Sequence, residues 1–390
     1  MRIAYVTSYN VLNPRNWHQL RLGPYGRGYY IARALKDQSF ALDYICPLKK
    51  IPSLPVAFKL VFYSFVKKKR YFHWVDPYIL KNYARQISQK LHYLNSDIIF
   101  SPENVGTLSY LECKQPIVMW TDAPKAAMID YYPSYYNLCD ETTRDIFEME
   151  KLAFNRCKLL IFSSNWGAKK AADIYKIDSS KIKVIPAGAN IDYQRGEEEV
   201  SAIINSRSTD VCRLLFLGAD WLRKGGDIAV AVAEELNKKG LPVELTIVGS
   251  KPITSEPLPS FVKSVGFLNK TTKEGREKLE SLLKESHFLI LPSRAEAYGI
   301  VLPEANSYGV PCLTTNAGGI PTIVKDGLNG KIFSTDANTG EYCSYVSDLF
   351  SDFSRYKQLA LSSFNEFKTR FDWSAVGETL KNLLNESCIN

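Results

Sequence analysis

The sequence predicts an α/β protein built from two doubly wound domains, and three observations support that fold class. Short apolar runs alternate with segments of helical period along the chain, which is the pattern of parallel strands joined by helices. The 390 residues are 45% hydrophobic, enough for two domains that each have a core. A polar, weakly periodic stretch over residues 188–210 separates two such series.

The expected domain boundaries follow from these two series. We expect a first domain over residues 1–187, a linker over 188–210, a second domain over 211–370 and an amphipathic terminal helix within 371–390. Strands are predicted, in chain order, at residues 1–6, 41–46, 97–101, 116–120, 159–163, 183–186, 213–218, 243–249, 288–291 and 311–314.

The first strand leads into a long loop over residues 8–28, ahead of a helix predicted at 29–36. A glycine-rich turn over 23–28 comes directly before that helix, and glycine lets backbone amides approach an anion closely. Gly26 is therefore a candidate contact for a phosphate group. The turn lacks the Gly-x-Gly-x-x-Gly order of a dinucleotide-binding fold, which disfavours a dehydrogenase.

Positive charge is concentrated near the start of the chain. The first 80 residues contain 13 Lys and Arg against three Asp, whereas the whole chain has a formal net charge of +8. An apolar, aromatic run over 56–66 is followed by four cations at 67–70. Such a run can lie in a membrane interface with its lysines at anionic headgroups, or it can be a core helix with solvated ends. The basic segment contains no motif of the kind that binds in a nucleic-acid groove, which disfavours nucleic acid binding.

Cysteine usage and the first residues predict the compartment. The eight cysteines include no closely spaced pair, so neither a zinc site nor a disulfide framework is indicated. No leader sequence precedes the first predicted strand, and no run approaches the ~20 apolar residues of a membrane-spanning helix. We expect a cytoplasmic protein, either free or peripheral on the inner face of the membrane.

The most informative segment follows the strand predicted at residues 288–291. A Pro-Ser pair ends that strand, and a loop leads through Gly299 into a run with helical spacing. Ligands of open α/β sheets bind at the carboxyl ends of strands, where helix N–H groups attract phosphate. Glu304 can accept hydrogen bonds from two ribose hydroxyls, and Glu296 can do the same for a second sugar. A ligand with phosphate between two sugars is a nucleotide-sugar. The alternative is that Glu304 is an ordinary solvated helix residue.

A second loop with the same placement follows the strand predicted at residues 213–218. Its basic residues, Arg223 and Lys224, precede a glycine pair at which a helix is expected to begin. A lysine at that point can reach a diphosphate whose negative charge grows as the sugar leaves. The alternative is a surface turn that happens to be basic.

These segments resemble the donor-binding signature of retaining glycosyltransferases of the GT-B fold, family four, also called glycosyl transferases group 1. In that signature two glutamates separated by seven residues flank a glycine, as Glu296, Glu304 and Gly299 do here. Residues 316–321 and 324–330 follow in the family's order and spacing. The resemblance covers nearly the whole second domain and, more loosely, the first.

The resemblance implies two Rossmann-like domains that face a cleft and a C-terminal helix that crosses back to the first domain. It implies a hexosyl- or uronosyltransferase that moves a sugar from a nucleotide-sugar, with UDP expected, to a glycan or lipid-linked acceptor in polysaccharide or glycoconjugate synthesis. The donor contacts it implies are Gly26, Arg223, Lys224, Glu296, Tyr298, Gly299, Ile300, Val301 and Glu304. The catalytic residues expected are Asp122, Glu296 and Lys224.

The chain departs from the family pattern in the second domain. The family normally has an arginine just after the first glycine of the loop over residues 218–226, and Ala219 stands there instead. Lys224 matches the family's lysine, and Arg223 is an additional guanidinium.

The acceptor side also departs from the pattern. Relatives commonly place a histidine where Asp122 ends the strand predicted at 116–120. Asp122 can hydrogen-bond the donor sugar, take the acceptor proton, or simply cap a following helix. Glu103 and His18 are the other acceptor-side candidates.

No metal or organic cofactor is expected beyond the nucleotide-sugar itself. The sequence has no Asp-x-Asp pair of the kind that holds a divalent cation against a diphosphate. Lys224 and the helix start near Gly299 are expected to take that role. The alternative function is a catalytically weak nucleotide-sugar or glycan binding subunit, because Ala219 and Asp122 replace the family's usual residues.

Overall fold

The computed structural model describes residues 1–18, 21–192 and 195–388. The chain forms two compact units, one of Met1–Pro186 with Val376–Asn390 and the other of Ala187–Ala375. We call these unit 1 and unit 2. Each unit is built on a six-stranded parallel sheet with helices packed against it, which confirms the predicted pair of doubly wound α/β domains.

Unit 1 has the strand order β2-β1-β3-β4-β5-β6. Its central strands β3 and β4 are buried along their full length, as expected for parallel strands covered on both faces. The strands are β1 (Arg2–Val6), β2 (Ala41–Ile45), β3 (Ile98–Pro102), β4 (Ile117–Thr121), β5 (Cys157–Phe162) and β6 (Ile182–Val184). The helices are α1 (Leu22–Asp37), α2 (Leu54–Val61), α3 (Pro77–Leu91), α4 (Val105–Leu108), α5 (Asp140–Arg156) and α6 (Asn165–Tyr175), and a π-helical turn, Phe62–Val66, continues α2.

Unit 2 has the strand order β12-β11-β10-β7-β8-β9. The strands are β7 (Cys212–Leu217), β8 (Val243–Val248), β9 (Val262–Gly266), β10 (Phe288–Leu291), β11 (Cys312–Thr315) and β12 (Gly330–Phe333). The helices are α7 (Glu197–Asn205), α8 (Gly226–Lys238), α9 (Lys273–Glu285), α10 (Val301–Asn306), α11 (Ile320–Ile323), α12 (Thr339–Ser351) and α13 (Phe353–Arg370). Helix α14 (Trp373–Cys388) begins in unit 2, and its residues from Val376 onward belong to unit 1, so the predicted crossover of the terminal helix is confirmed.

The strand order of each sheet reverses next to the first strand of the unit. In unit 1, β1 lies between β2 and β3, and in unit 2, β7 lies between β10 and β8. At such a point the loops that leave neighbouring strands diverge and open a crevice for a ligand. The reversal therefore brings the loops after β7 and β10 together, and these loops contain the predicted donor residues.

The predicted glycine-rich turn before α1 is wrong, because α1 begins at Leu22 and contains residues 23–28. The glycines serve close packing instead. The Tyr5 hydroxyl donates to the Gly28 carbonyl oxygen at 2.5 Å, and a Cβ at Gly28 would come within 2.0 Å of the Tyr9 hydroxyl oxygen. Gly26 lies in the second turn of the helix, where a backbone N–H normally bonds to the carbonyl four residues earlier. Its role as a donor contact stays a prediction.

The segment over 188–210, predicted as a linker from its composition, belongs to unit 2 where it is described. It contains α7, which begins after Gly196 with three glutamates in its first turn, and Val200 and Ile204 are buried within unit 2. Acidic residues favour a helix N-terminus, so the composition that looked like a linker is also that of an amphipathic helix. Residues 193–194 of this segment and 389–390 of the terminal helix lie outside the described residues.

Candidate functional site

The loops that follow β7 and β10 are joined by a network centred on Arg294. The Arg294 N–H donates to the Arg223 carbonyl oxygen at 2.8 Å, and its guanidinium donates to the Leu222 carbonyl oxygen at 2.6 Å. Two further bonds of 2.8 and 2.7 Å reach both oxygens of Asp227, at the start of α8. Backbone and side chain together hold the two loops in one arrangement.

Gly225 allows the two loops to approach each other. Its φ of +75° lies in the left-handed region, and a Cβ there would come within 2.1 Å of the Pro292 carbonyl oxygen. Any larger residue would have to move one loop away from the other. Gly225 therefore determines how close the neighbouring Lys224 comes to the loop after β10.

Lys224 and Glu296 form an ion pair across the two loops, and both side chains are buried. The Arg223 guanidinium lies 3.7 Å from the same Glu296 oxygen and donates to the Ala295 carbonyl oxygen at 2.8 Å. Burial, and then the charge of Arg223, lower the pKa of Lys224 well below its usual value. The Asp220 carboxylate opposes that shift in pKa. The structure thus brings together three of the predicted donor and catalytic residues.

Glu304 lies in the first turn of the short helix α10 and is almost completely buried. One carboxylate oxygen accepts from the Lys270 ammonium, and the other, Oε1, is buried and has no hydrogen-bond partner among the described residues. Burial raises the pKa of Glu304, and the neighbouring Lys270 acts in the opposite direction. A buried acceptor without a partner costs stability, so this oxygen is suited to receive a hydroxyl from a ligand. The alternative of an ordinary solvated helix residue is wrong.

The backbone between the two glutamates is fixed by Gly299, whose φ is +98°. The Gly319 N–H donates to the Glu296 carbonyl oxygen at 2.9 Å, which attaches this loop to the segment before α11. Tyr298 is buried, and its hydroxyl donates to the Ala187 carbonyl oxygen at 2.5 Å, so its ring supports the loop. Ile300 and Val301 are half-buried at the start of α10. Donor contacts by these loop residues stay predictions.

Unit 1 has a different arrangement at the carboxyl ends of β3 and β4. The Arg27 guanidinium, on α1, is in ion-pair contact with Glu103 at 2.6 Å and also with Asp122. The Arg27 guanidinium also donates a hydrogen bond to the Ser163 hydroxyl oxygen at 3.5 Å. The two acceptor-side carboxylates predicted from the sequence therefore share one buried cation that the sequence analysis did not identify.

Glu103 is held in an unusual backbone conformation, with φ of +61°. Its N–H donates to the Trp120 carbonyl oxygen at 2.8 Å, which continues the pairing of β3 with β4 by one residue. Burial raises the pKa of the Glu103 carboxyl, Arg27 opposes the shift, and Asp122 adds to it. A non-glycine residue in this conformation costs free energy, and such positions occur often at functional sites.

Asp122 does not cap a helix, so that alternative is wrong. The next helical turn begins after Lys125, and the amides of Lys125 and Ala126 donate to Glu150 at 2.5 and 3.0 Å. The partly exposed carboxylate of Asp122 instead contacts Arg27. Its backbone is tightly packed, since a Cβ at Gly167 would come within 2.0 Å of the Asp122 carbonyl oxygen.

His18 is exposed in the loop ahead of α1, and its acceptor-side role stays a prediction. Over residues 1–18, 21–192 and 195–388, no group of three or more His, Cys, Asp or Glu side chains is arranged to hold a metal ion.

Three site residues were missed at the level of sequence. Arg27, Lys270 and Arg294 each pair with a carboxylate that is distant along the chain, by 76, 34 and 67 residues respectively. Local patterns give no signal for such pairs. Arg27 stood inside the predicted glycine-rich turn, where its charge had no assigned partner.

Comparison with known proteins gives a family match within unit 2 and shows the fold of the chain. Residues 212–352 match the family model described as "Glycosyl transferases group 1". The D-inositol 3-phosphate glycosyltransferase of Nocardia farcinica is 23% identical over 312 residues, which is 77% of this chain and 68% of the relative.

Two solved structures have the same fold. Sucrose-phosphate synthase of Thermosynechococcus elongatus superimposes with a TM-score of 0.71 at 15% identity, covering 99% of this chain and 98% of the other. HepE of Anabaena in complex with UDP has a TM-score of 0.63 at 16% identity, covering 99% of this chain and all 100% of the other. A complex of HepE with UDP-glucose has also been solved.

Proposed function

We propose that this protein of the GT-B fold is a group 1 glycosyltransferase that acts on nucleotide sugars, and that it transfers a hexosyl or uronosyl group from a UDP-sugar with retention of anomeric configuration. The observation that carries the proposal is the site at the strand-order reversal of unit 2. There, two buried carboxylates each pair with a lysine, and one carboxylate oxygen has no partner. UDP is chosen because HepE, which shares the fold, has been solved with UDP and with UDP-glucose.

Each part of the donor has a proposed partner in unit 2. Glu304 accepts from the ribose hydroxyls through the oxygen that is otherwise unsatisfied. Lys224, with Arg223 beside it, exchanges its contact with Glu296 for the diphosphate, since phosphate oxygens are strong acceptors for both cations. Glu296, released from Lys224, accepts from hydroxyls of the donor sugar.

The reaction breaks the bond between the anomeric carbon and the diphosphate oxygen, and the electron pair of that bond leaves with UDP. Lys224 stabilises the charge that develops on the diphosphate, which is greatest as the bond breaks. The acceptor hydroxyl oxygen attacks the anomeric carbon from the face that UDP leaves. We propose Asp122 as the carboxylate that orients this hydroxyl and receives its proton. Neither a metal ion nor a covalent sugar intermediate has a role in this proposal.

The proposed acceptor is a glycan or a lipid-linked sugar at the cytoplasmic side of a membrane. In unit 1, Glu103 and Asp122 provide two carboxylates that share the Arg27 guanidinium, with the Lys125 ammonium near both. Carboxylates accept from sugar hydroxyls and disfavour anionic groups, so we propose that the reacting end of the acceptor is an uncharged sugar. Nucleic acid is not a proposed partner.

Donor hydrolysis tests the proposal. Purified protein should hydrolyse one of a panel of nucleotide-sugars slowly without an acceptor, because water replaces the acceptor hydroxyl. The panel can first be ranked by thermal shift, since ligand binding raises stability as ln(1 + [L]/Kd). Nuclear magnetic resonance of the released sugar should show the donor's anomeric configuration before mutarotation.

A matched pair of variants separates an enzyme from a binding subunit. Glu296→Ala should abolish hydrolysis, whereas Glu244→Ala should not, because Glu244 pairs with Arg213 and Lys263 elsewhere in the unit. Donor binding without hydrolysis under any condition would instead favour a catalytically weak binding subunit. Release of the inverted sugar would overturn the retaining mechanism.

A further inference from the structure

Helix α2 is packed with its charged side toward the protein and its apolar side toward solvent. Lys59 is the only charged residue of the helix, and its ammonium contacts Asp76 at 2.9 Å and Glu141 at 2.7 Å. Val56 is the only buried apolar residue of α2. A surface helix normally buries its apolar stripe and exposes its charges, so this helix is inverted.

The exposed side of α2 and of the following π-helical turn is a continuous apolar stripe. Leu54 is 87% exposed, Phe58 69% and Phe65 78%. Together with Val61 they recur every three or four residues, which places them on one face of the helix. Single exposed apolar side chains are common on proteins, but an aligned stripe with two phenylalanines marks an interaction surface.

A basic turn follows the stripe directly. Lys67, Lys68, Lys69 and Arg70 are all exposed. The turn has a fixed backbone: Lys68 has φ of +51°, the Lys69 N–H donates to the Tyr63 carbonyl oxygen at 2.9 Å, and the Arg70 N–H donates to the Asn137 carbonyl oxygen at 2.8 Å. The turn borders an open surface depression of about 480 Å³, lined in part by Lys68, Lys69 and Arg70.

Charge and length indicate what this surface contacts. No acidic residue occurs between Asp43 and Asp76, and that interval contains seven Lys and Arg. An apolar stripe followed along the chain by four exposed cations is complementary to a bilayer that presents phosphate groups above acyl chains. The helix and π-helical turn comprise eight and five residues, a length of roughly 20 Å at ~1.5 Å per residue. This is shorter than the ~30 Å hydrocarbon core, so the segment lies in the interface.

We propose that the surface formed by residues 54–70, called the α2 surface below, docks unit 1 on an anionic phospholipid bilayer. The stripe enters the boundary between headgroups and acyl chains, and the basic turn contacts lipid phosphates. The proposal goes beyond the proposed sugar transfer and is independent of the donor site in unit 2. It also resolves the choice left by the sequence between an interfacial segment and a core helix, since α2 has little buried apolar surface.

Vesicle co-sedimentation tests the docking without any sugar donor. The probe is vesicles of phosphatidylglycerol and phosphatidylcholine in equal parts at low salt, compared with pure phosphatidylcholine. Wild type should pellet with the anionic vesicles, and the pelleted fraction should fall as salt rises. Replacement of Lys67, Lys68, Lys69 and Arg70 by glutamine should weaken partitioning by on the order of a hundredfold to a thousandfold. Phe58→Ser with Phe65→Ser should weaken it by at least about tenfold, because fewer apolar groups enter the interface.

A variant of equal charge is the control. Lys169, Lys170, Lys176 and Lys183 are four exposed lysines elsewhere in unit 1, and their replacement by glutamine changes the net charge by the same amount. This variant should pellet nearly as well as wild type, and all variants should keep the wild-type affinity for UDP. Equal loss in both four-fold variants would show non-specific attraction only.

Two other outcomes would overturn the proposal. No pelleting by wild type at low salt would exclude a bilayer as the partner. Self-association that is lost in the Phe58→Ser, Phe65→Ser variant, measured by sedimentation equilibrium without lipid, would identify the surface as a contact between two copies of the chain. A failure of UDP binding or donor hydrolysis would affect only the proposed function.

Discussion

The two units place carboxylates at equivalent positions, beyond the carboxyl ends of parallel strands, but neutralise them differently. In unit 2, Glu296 pairs with Lys224 and has the Arg223 guanidinium 3.7 Å away, and Glu304 pairs with Lys270. In unit 1, Glu103 and Asp122 share the single guanidinium of Arg27. Each carboxylate of the site in unit 2 therefore has a cation of its own in direct contact, whereas the two carboxylates in unit 1 share one guanidinium.

This difference in charge balance suits two different ligands. A site with a cation that can change partners can accept an anionic diphosphate, because Lys224 exchanges a carboxylate for a phosphate oxygen. A site in which two carboxylates share one guanidinium can accept a hydroxyl proton and stabilise positive charge at a reacting sugar. If the proposed division into donor and acceptor units is correct, substitutions in unit 1 should affect stability and turnover, and substitutions in unit 2 should affect nucleotide affinity and leaving-group departure.

The largest expected effect is on stability, from Arg27→Met in unit 1. This change leaves the buried Glu103 and the partly exposed Asp122 without their shared cation, and we expect a loss of about 3–5 kcal/mol in the free energy of unfolding by urea. Burial already raises the pKa of Glu103, so protonation should relieve part of the loss. The stability of the variant should therefore be higher at about pH 5 than at about pH 8 relative to wild type.

Two controls sharpen this prediction. Arg2→Met removes an exposed ion pair with Asp43 in the same unit and should leave stability nearly unchanged. Adding Glu103→Gln to Arg27→Met should recover part of the lost stability, because one buried charge is removed. A cost for Arg27→Met no greater than that for Arg2→Met would show that the shared cation is not needed.

The second largest expected effect is a decrease in kcat, caused by Lys224→Ala in unit 2. Loss of a group that stabilises charge mainly in the transition state should lower kcat by about 10²–10³-fold, or about 2.7–4 kcal/mol. Affinity for the intact donor should fall less, because the diphosphate charge is smaller before the bond breaks. The exposed residue Lys238, substituted in the same way, is the control. Equal losses in rate and affinity, or complete loss of wild-type activity in EDTA, would contradict the role proposed for Lys224.

The third largest expected effect is a loss of affinity for UDP in Glu304→Ala. We expect Glu304→Ala to weaken binding of free UDP by roughly 1.5–3 kcal/mol in calorimetry, since hydrogen bonds to a charged acceptor are lost. Lys270→Met is the informative comparison, because it disrupts the same ion pair and keeps the carboxylate. If the pair is only structural, both variants should lose stability alike and bind UDP alike. Unchanged affinity in a folded Glu304→Ala protein would exclude the ribose contact.

The sequence predicted the donor half better than the acceptor half, and the comparison of the units explains why. Glu296, Gly299 and Glu304 lie within one loop and one helical turn, so their spacing defines their geometry. The strand-order reversal then brings Lys224 close to these residues. The sequence had indicated this, because both loops were predicted to follow strands. Arg27 and Glu103 are 76 residues apart, and only the folded sheet joins them.

The errors in the fold have a common physical cause. Glycine-rich residues 23–28 were expected to form a turn, and polar residues 188–210 a linker, because composition usually predicts such structure. Both segments are helical where tertiary packing favours a helix: the backbone at Gly28 contacts two tyrosines, and Val200 and Ile204 are buried in unit 2. Packing of this kind outweighs local propensity and is not visible in a local window.

The smallest expected change in binding, and the clearest separation of the units, comes from Asp122→Asn. Asparagine keeps the size of the side chain and a carbonyl oxygen for Arg27, so we expect little change in melting temperature. If Asp122 receives the acceptor proton, turnover should fall at least about tenfold, or ~1.4 kcal/mol, while affinity for UDP stays within about 0.5 kcal/mol of wild type. Asp173→Asn, which alters an exposed pair with Lys169 in the same unit, should change neither quantity.

The measurements are steady-state transfer with a fixed acceptor and calorimetry with UDP. A loss of UDP affinity as large as the loss of turnover would place Asp122 with the nucleotide, and the division between a donor unit and an acceptor unit would no longer hold. A lower melting temperature with unchanged turnover would leave Asp122 as a structural partner of Arg27.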